Sequence, residues 1–333
     1  MRAIVLTSKG EVDALVIESR PDLQPGPGEV VVRVRAAALN RRDVFIRRGL
    51  YPGIVFPIVL GSDGAGEVSA VGEGVDPSWI GQAVVIDPSF SWGPNPRAQG
   101  GQFNILGLPK DGTCAEQVLV PAQNLHRKPA GLSWEEAAAV PLTSVTAFRA
   151  LVTRARLQAG ERVVVTGIGG GVATAALTIA AHLGAKAWVT SGSEAKIARA
   201  MEHGASGGVN HKSDDWVKTL VGQIGARPDV VIDGAGGETF NRCLDLVNPG
   251  GRVVSYGATL GPSPKLEVRR IFWKQIDVMG SSMGTADDFA AMLRLYDAGL
   301  RPIIDQVFPF EEARAAHARL EQGDQFGKIV VRC

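Results

Sequence analysis

The sequence contains little cysteine, and its three cysteines lie far apart. Cys114, Cys243 and Cys333 are too few and too scattered for a disulfide framework, and this scatter is typical of proteins from a reducing compartment. No apolar run reaches the roughly 18–20 residues that a membrane-spanning helix needs, and the opening residues lack the apolar core of a signal peptide. We therefore expect a soluble, cytoplasmic protein with no membrane partner.

An excess of charge of either sign is also lacking. The 35 Lys and Arg residues balance 34 Asp and Glu residues, so the net charge is +1. Proteins that bind nucleic acid usually present a strongly basic face, so this balance argues against a nucleic-acid partner. The 333 residues, of which 45% are hydrophobic, suffice for two domains with cores of their own.

Glycine, in contrast, is abundant, and the placement of the 41 glycines distinguishes two regions of the chain with different sequence patterns. Up to residue 125, Gly and Pro separate short alternating segments such as Glu29–Ala36, which is typical of a β-rich unit, and residues 88–112 predict an excursion loop. From residue 161 onward, apolar strands such as Arg162–Thr166 alternate with helices such as Val172–Leu183. This alternation indicates an α/β fold with a doubly wound parallel sheet.

A glycine-rich turn joins the first of these strands to the first of these helices. Its spacing is Gly167-x-x-Gly170-x-x-Ala173, with a further glycine at Gly171 before Val172. Glycine permits the tight turn and lets a pyrophosphate approach the backbone, while the helix N-terminus offers free N–H groups to the phosphates. The turn therefore predicts a dinucleotide site formed by Gly167, Gly170, Gly171 and Val172.

The end of the second strand indicates which dinucleotide binds. A site for NAD usually has an acidic residue there to hold the ribose 2′-OH, but this chain has Ser191, Ser193 and Lys196. Hydroxyl groups and a positive charge are suited to a 2′-phosphate, so the sequence favours NADPH. Under the alternative interpretation, Ser193 only caps the next helix and Lys196 is a solvated residue of its first turn.

Taken together, several motifs along the whole chain resemble the medium-chain dehydrogenase/reductase superfamily, within it the zinc-independent quinone oxidoreductase-like branch. This branch includes proteins called zinc-type alcohol dehydrogenase-like. The motifs are Pro25-Gly26-Pro27-Gly28-Glu29-Val30, Leu39-Asn40-Arg41-Arg42-Asp43, Gly61-Ser62-Asp63-Gly64-Ala65-Gly66, Gly170-Gly171-Val172 and Gly327-Lys328-Ile329-Val330-Val331.

The resemblance implies an architecture and an assembly. A GroES-like catalytic domain would comprise residues 1–125 and 283–333, and a Rossmann domain would comprise residues 126–282. Members of the family form homodimers or tetramers through the edge strand of the Rossmann sheet, which would be Asp277–Ser281 in this chain.

The resemblance also implies roles for single residues. Asn40, Tyr51 and Thr146 match residues at the substrate and the nicotinamide, where the Tyr51 phenol could donate a hydrogen bond or a proton. The implied cofactor contacts beyond the glycine turn are Lys196, His211, Tyr256, Gly257, Ser281 and Lys328. Under the alternative interpretations, Asn40 is a turn residue, Tyr51 a half-buried loop tyrosine and His211 a surface or capping residue.

The metal ligands of the zinc-dependent relatives are missing. Where those relatives carry a Gly-His-Glu motif, this chain has Ser62 and Asp63, and residues 36–45 and 88–112 contain no cysteine. Asp63 is expected to be an isolated residue that stabilises its loop. We predict no metal site, and without a Lewis acid the hydride acceptor has to be intrinsically electrophilic.

These observations favour an NADPH-dependent oxidoreductase that transfers hydride to a quinone or an α,β-unsaturated carbonyl compound. One alternative is a reductase of enoyl-thioester or haloacrylate substrates with the same mechanism. A second alternative is an NADPH-binding protein with little catalysis, similar to the crystallins of this branch. A zinc alcohol dehydrogenase is the remaining alternative.

Overall fold

The computed structural model describes residues 1–333, which form two compact units. Unit 1 comprises Met1–Thr143 and Thr285–Cys333, and unit 2 comprises Ser144–Gly284. The first boundary therefore lies at 143/144 rather than at the expected 125/126. The reason is that helix Trp134–Ala139 packs on strands of unit 1, and the backbone N–H of Leu142 donates a hydrogen bond to Asp63.

Unit 1 is rich in short strands, as its glycine and proline content predicts. Its strands are β1 (Arg2–Leu6), β2 (Leu15–Ser19), β3 (Glu29–Leu39), β4 (Ile58–Val59), β5 (Asp63–Val71), β6 (Ala83–Ile86), β7 (Ser89–Phe90), β8 (Asn104–Ile105), β9 (Gln117–Pro121), β10 (Leu125–Arg127), β17 (Ile304–Phe308) and β18 (Lys328–Arg332). Its helices are α1 (Arg41–Arg47), α2 (Trp134–Ala139), α9 (Ala286–Asp297) and α10 (Ala313–Gln322), and α3 (Pro141–Phe148) crosses the boundary and continues as a π-helical segment (Arg149–Arg154).

A seven-stranded sheet organises unit 1. Its order is β10-β6-β5-β3-β18-β17, with β9 also paired to β3. The central strand β3 shows the predicted alternation, because Arg33 and Arg35 are exposed while the valines between and before them are buried. A three-stranded sheet (β2-β1-β4) and the small β7-β8 pair complete the unit.

The predicted excursion loop at 88–112 is anchored by buried polar groups at its start. The carboxylate of Asp87 accepts a hydrogen bond from the Ser89 N–H at 2.9 Å, and the Asn124 amide donates to the Asp87 carbonyl at 3.0 Å. Burial raises the pKa of Asp87 from its ordinary 3.8 to about 7, the hydrogen bonds from Ser89 oppose this rise, and the charge of Asp288 adds to it.

This raised pKa predicts a pH dependence of stability. The folded state holds the Asp87 proton more tightly than the unfolded chain does, so its contribution to stability is full below about pH 4 and is lost as the pH rises through 7. We expect Asp87→Asn to remove this contribution, so that the slope of the unfolding free energy against pH between pH 5 and 7 becomes shallower by up to about 1.4 kcal/mol per pH unit. Urea denaturation across this range measures it, with the exposed Asp324→Asn as control. An unchanged slope would contradict the assignment.

Unit 2 contains a single parallel sheet flanked by helices. Its strands are β11 (Arg162–Val165), β12 (Lys186–Ser191), β13 (Ala205–Asn210), β14 (Val230–Asp233), β15 (Arg252–Ser255) and β16 (Asp277–Gly280), and its helices are α4 (Gly171–His182), α5 (Glu194–Glu202), α6 (Trp216–Ile224), α7 (Gly237–Leu246) and α8 (Val268–Lys274). The order is β13-β12-β11-β14-β15-β16, with every neighbouring pair parallel. This is the doubly wound arrangement that the sequence predicts. Successive strands are added on one side of β11 as far as β13 and then on its other side from β14 onward, so the strand order reverses between β11 and β14.

Two helices are not evident from the sequence pattern. Helix α1 has only seven residues and follows a strand directly, and α8 leaves most of its apolar side chains exposed. Seven residues are too few for α1 to show a clear period, and α8 has no buried stripe. No helix of either unit has the length and apolar character required to cross a bilayer.

Candidate functional site

A buried polar cluster in unit 1 joins three side chains, Asn40, Asp63 and Lys328. The Lys328 ammonium donates to the Asn40 side-chain oxygen Oδ1 and to Asp63 Oδ2, at 2.7 Å in both cases. The Asn40 amide nitrogen Nδ2 donates to the same Asp63 Oδ2 at 2.9 Å. All three residues are at most 5% exposed.

The sheet register explains why these distant residues meet. Strand β3 lies between β5 and β18, with Ala38 opposite Asp63 and Leu39 opposite Ile329. Asn40 directly follows β3, Asp63 begins β5 and Lys328 begins β18. The three polar residues therefore gather where the three strands meet α1.

The cluster fixes the orientation of the Asn40 amide. Lysine can only donate, so the Asn40 oxygen must face Lys328 and the amide nitrogen must face Asp63. One N–H of that nitrogen is used by Asp63. The other Asp63 oxygen accepts from the Leu142 N–H at 2.7 Å, so the carboxylate is held at both oxygens.

A second buried carboxylate, Asp43, supports the start of α1. Its oxygens accept from the backbone N–H groups of Asn40 at 2.8 Å and of Gly61 at 3.2 Å. Burial raises the pKa of Asp43, while these hydrogen bonds and the charges of Arg42 and Lys328 oppose the rise. Asp43 therefore positions the backbone on which Asn40 lies.

The side chains at this position do not fit a zinc ion. Asp63 is paired with the Lys328 ammonium, and the Ser62 hydroxyl donates to the Leu106 carbonyl at 2.7 Å. No group of three or more His, Cys, Asp or Glu side chains in the chain could hold a metal ion. The prediction that Asp63 is an isolated loop residue is wrong, because its carboxylate forms an ion pair with the Lys328 ammonium. Lys328, predicted to contact the cofactor, directs its ammonium to Asn40 and Asp63.

Tyr51 lies in the same unit, between α1 and β4. Its ring is partly buried against the core of unit 1, and the Arg42 guanidinium lies over it, 5.1 Å from the ring centroid. The same guanidinium donates to the Ser62 hydroxyl and to backbone carbonyls.

The glycine turn of unit 2 has the geometry that its sequence predicts. Gly167 has φ 64° and Gly169 φ 124°, values that favour glycine. A Cβ at Gly167 or Gly170 would meet no atom within 4 Å, so space is open beside the turn. Helix α4 begins at Gly171 without a side-chain cap and without an acidic residue in its first turn. Its free N–H groups suit a pyrophosphate.

Thr190, at the end of β12, holds this turn. Its hydroxyl accepts from the Gly167 N–H at 3.2 Å, and its carbonyl accepts from the Ile168 N–H at 2.8 Å. On the other side, the Thr166 hydroxyl donates to the buried Asp233 carboxylate at 2.6 Å. Burial raises the pKa of Asp233, and its oxygens also accept from the N–H groups of Ala235 and Gly236.

The residues predicted to bind a 2′-phosphate lie at the C-terminal end of β12 and at the start of α5. The Ser191 hydroxyl accepts from the Ser193 N–H at 3.2 Å, and the Ser193 hydroxyl accepts from the Lys196 N–H at 3.4 Å, which caps α5. The backbone N–H of His211 donates to the Ser191 carbonyl at 3.0 Å. Burial lowers the pKa of His211, and the charge of Lys212 adds to this effect.

Sequence reasoning missed Lys212 at this place. A Cβ on Gly192 would lie 2.9 Å from Lys212 Cε and 3.5 Å from both Lys212 Nζ and His211 Nε2. Lys212 follows β13, which pairs with β12 in parallel, and this pairing brings its ammonium beside Gly192. The end of β12 therefore has two lysines in its neighbouring segments, Lys196 in α5 and Lys212 after β13, in addition to the hydroxyls of Ser191 and Ser193.

The remaining predicted residues of unit 2 lie at the ends of its strands and helix. The Tyr256 ring packs against Gly234, and burial raises its pKa, with the charge of Asp233 adding to the rise. Gly257 is exposed, and its carbonyl accepts from the Ser255 hydroxyl. The hydroxyl of Ser281, after β16, is buried without a partner. Thr146 is buried in α3, and its hydroxyl lies 3.9 Å from the Met283 sulfur.

Two family models match the chain. One is described as "Alcohol dehydrogenase GroES-like domain" and matches residues 26–130. The other is described as "Zinc-binding dehydrogenase" and matches residues 171–298.

Curated relatives match nearly the full chain. A zinc-type alcohol dehydrogenase-like protein of Leptosphaeria maculans is 35% identical over 95% of this chain and 93% of its own. An acryloyl-coenzyme A reductase of Metallosphaera sedula is 31% identical over 99% of both chains. A quinone oxidoreductase of Mus musculus is 29% identical over 99% of this chain and 97% of its own.

Solved structures match the fold over the whole chain. The crystal structure of an NAD-dependent alcohol dehydrogenase has a TM-score of 0.95 and 38% identity and covers 100% of both chains. The 2-octenoyl-CoA carboxylase reductase CinF, in complex with NADP and 2-octenoyl-CoA, has a TM-score of 0.89 and 26% identity and covers 100% of this chain and 87% of its own.

Proposed function

This chain belongs to the medium-chain dehydrogenase/reductase superfamily, and we propose that it is an NADPH-dependent reductase that transfers hydride to a quinone or an α,β-unsaturated carbonyl compound without a catalytic zinc ion. The class of the protein, a nicotinamide-dependent oxidoreductase, follows from the family and from its relatives.

The observation that carries the proposal is the donor set around Asp63. A lysine ammonium and an asparagine amide satisfy this carboxylate, and a serine hydroxyl precedes it. This arrangement leaves no group of ligands for a Lewis acid. We therefore propose a substrate that is electrophilic through conjugation, which spreads incoming charge onto an oxygen, with the protein supplying hydrogen bonds to that oxygen.

The residues of unit 2 fit the nicotinamide cofactor. The turn at Gly167, Gly170, Gly171 and Val172 suits its pyrophosphate, and Ser191, Ser193, Lys196 and Lys212 suit a 2′-phosphate. We assign the unpartnered Ser281 hydroxyl, together with Tyr256 and Gly257, to the nicotinamide end. When bound, the reduced cofactor supplies a hydride from C4 of its nicotinamide ring.

The residues that would act on the substrate are Tyr51, Asn40 and Thr146. The Tyr51 phenol would donate a hydrogen bond or a proton to the substrate oxygen. The Asn40 amide, held by Lys328 and Asp63, would direct its second N–H to a ligand. Because this amide is already oriented, it loses little freedom when the ligand binds. Thr146 would lie beside the nicotinamide.

A second candidate is the reduction of an enoyl thioester. It is favoured by the acryloyl-coenzyme A reductase relative, which matches 99% of both chains. The residues proposed above would serve this reaction in the same way, since a thioester carbonyl conjugated to a double bond also accepts hydride at its β carbon. The two candidates differ in the acceptor and not in the mechanism.

The test is turnover by the chelator-treated protein with NADPH. The acceptors are 1,4-benzoquinone, but-3-en-2-one and an acryloyl thioester, with butanone as a saturated control and zinc content measured in parallel. We expect NADPH oxidation with at least one conjugated acceptor, none with butanone, and no stoichiometric zinc. Tight NADPH binding without turnover would favour a binding protein, and activity that requires one zinc per chain would overturn the proposal in favour of a zinc alcohol dehydrogenase.

We also propose that the chain forms a homodimer through β16. This strand ends the sheet of unit 2, and edge strands with free backbone groups invite pairing. Beside it, Trp273 is 83% and Phe272 63% exposed, and Val278 on the strand itself is also exposed. A second copy related by a two-fold axis would pair β16 with its own counterpart and cover this apolar surface.

Trp273→Glu is expected to convert this dimer into a monomer. The substitution places a charge in the centre of an apolar interface, where it would be buried without a partner. Light scattering coupled to size-exclusion chromatography measures the mass. Ile80→Glu, which introduces the same charge at an exposed apolar residue of unit 1, should leave the mass unchanged. A dimeric Trp273→Glu variant would contradict the assignment of this surface.

A further inference from the structure

Arg42 makes an unusual set of contacts for a partly buried residue of a short helix. Its guanidinium nitrogens donate to the Ser62 hydroxyl and to the Leu106 carbonyl, at 3.2 Å in both cases. They also donate to the carbonyls of Ile105 at 3.2 Å and Leu108 at 3.3 Å. All four acceptors are neutral, so Arg42 is a cross-link between α1 and the end of the excursion loop rather than a member of an ion pair.

The same guanidinium covers the Tyr51 ring. The separation of 5.1 Å between Cζ and the ring centroid lies within the roughly 6 Å range of a cation–π interaction. Residues 48–57 contain no helix or strand, so the position of the Tyr51 ring depends on side-chain contacts, namely those with the core of unit 1 and with this guanidinium. Since the four hydrogen bonds fix the guanidinium plane, they also fix the surface against which the ring lies.

We propose that Arg42 is a positioning residue for the reduction, holding the Tyr51 ring where its phenol meets the substrate oxygen. The inference rests on the proposed function in one respect, namely that Tyr51 touches the substrate. Arg42 acts through Tyr51 and through residues 105–108, so the excursion loop and the substrate tyrosine keep one common arrangement. Lysine could not replace it, because a single ammonium cannot form the planar set of hydrogen bonds and cover the ring as well.

A double-mutant cycle tests the coupling. Arg42→Gln is measured in the native background and in the Tyr51→Leu background, with kcat/KM for NADPH and 1,4-benzoquinone as the readout. We expect Arg42→Gln to lower kcat/KM about tenfold or more when Tyr51 is present, and less than twofold when Tyr51 is leucine. The same loss in both backgrounds would overturn the proposal, since a purely structural role would not depend on Tyr51.

Arg41→Gln is the matched control. Arg41 precedes Arg42 in α1, and its guanidinium donates to the carbonyls of Leu320 and Glu321 in α10, away from Tyr51. This variant should leave the rate within twofold of native. Arg42→Lys provides a second variant if the glutamine variant folds poorly, and we expect it to lose kcat/KM as well.

Hydrogen–deuterium exchange separates this inference from the proposed function. In the protein without substrate, residues 49–57 should exchange faster in Arg42→Gln and Arg42→Lys than in the native protein or in Arg41→Gln. If the native protein reduces none of the acceptors, the proposed function fails, and faster exchange would still show that Arg42 holds this segment. Unchanged exchange in both Arg42 variants would overturn the positioning role.

Discussion

Replacing Lys328 by methionine is expected to lower the free energy of unfolding by about 3–5 kcal/mol. The ammonium pairs with an Asp63 carboxylate that is fully buried, at 2.7 Å. Methionine fills a similar volume but leaves the carboxylate with only two N–H donors, from Asn40 and Leu142. The loss of a partner from a buried ion pair is costly because the remaining charge has no solvent to stabilise it.

Urea denaturation measures this effect, and two further variants interpret it. The double variant Lys328→Met with Asp63→Asn removes both charges and should recover much of the loss. Lys110→Met, which removes a lysine whose side chain is 68% exposed, should change the free energy by less than about 0.5 kcal/mol. A Lys328→Met variant as stable as the native protein would show that Asp63 does not depend on this ammonium.

The same substitution should also reduce turnover. Without the ammonium, the Asn40 side chain keeps only its contacts with the Asp63 carboxylate and with the start of α1, so its amide is less firmly oriented toward the proposed ligand. We expect kcat to fall by about a hundredfold, with a smaller change in KM. Lys328→Arg keeps the charge and should retain part of the activity, so the comparison separates the loss of charge from the loss of the side chain.

Removing the two lysines near Gly192 should weaken NADPH binding by about a hundredfold. The double variant Lys196→Ala with Lys212→Ala removes two charges that we assign to the 2′-phosphate, and each charge-assisted hydrogen bond contributes about 1.5–3 kcal/mol. NADH lacks this phosphate, so its affinity should change less than twofold. Fluorescence titration of both cofactors with the native and variant proteins measures the difference.

Lys186→Ala is the control for the cofactor prediction. Lys186 begins β12, at the opposite end of the strand from Ser191, so its removal should affect neither cofactor. An equal loss of affinity for NADPH and NADH in the double variant would place the lysines elsewhere on the cofactor. A native protein that binds NADH more tightly than NADPH would contradict the assignment of the 2′-phosphate and would align its cofactor with that of the NAD-dependent alcohol dehydrogenase of similar fold.

The sheet of unit 2 could be predicted from the sequence because the patterns that indicate its strands and turns lie within short segments of the chain. Apolar strands such as β11 and β14 are buried on both faces, so each appears as a continuous apolar run. The glycine turn is equally local, since the strand, the turn and α4 follow one another within a few residues. Strand–helix alternation then leaves few possible topologies.

The cluster at Asp63 could not be predicted in the same way. Its members are separated by as many as 288 residues along the chain, and they meet only because β18 pairs with β3. Register between distant strands has no signature in a single sequence. Arg42 and Lys212 were missed for the same reason, because their partners are contributed by another loop and by a neighbouring strand.

The boundary between the two units differs from the expected one for a different reason. Helix α2 begins with a clear capping box, in which the Ser133 hydroxyl and the Glu136 side chain bond each other's backbone N–H groups. This motif marks a helix start and says nothing about the domain to which the helix belongs. Only packing against β3 and β5 places α2 in unit 1.

We propose that hydride passes from NADPH to a conjugated acceptor without zinc. The most direct measurement uses chelator-treated protein, NADPH deuterated at both C4 positions, and but-3-en-2-one, with the product analysed by mass spectrometry and NMR. We predict butanone that carries one deuterium on the carbon β to the carbonyl, with the α proton taken from solvent. Deuterium on the carbonyl carbon of an unsaturated alcohol, or a product that forms only after zinc is added, would contradict the account.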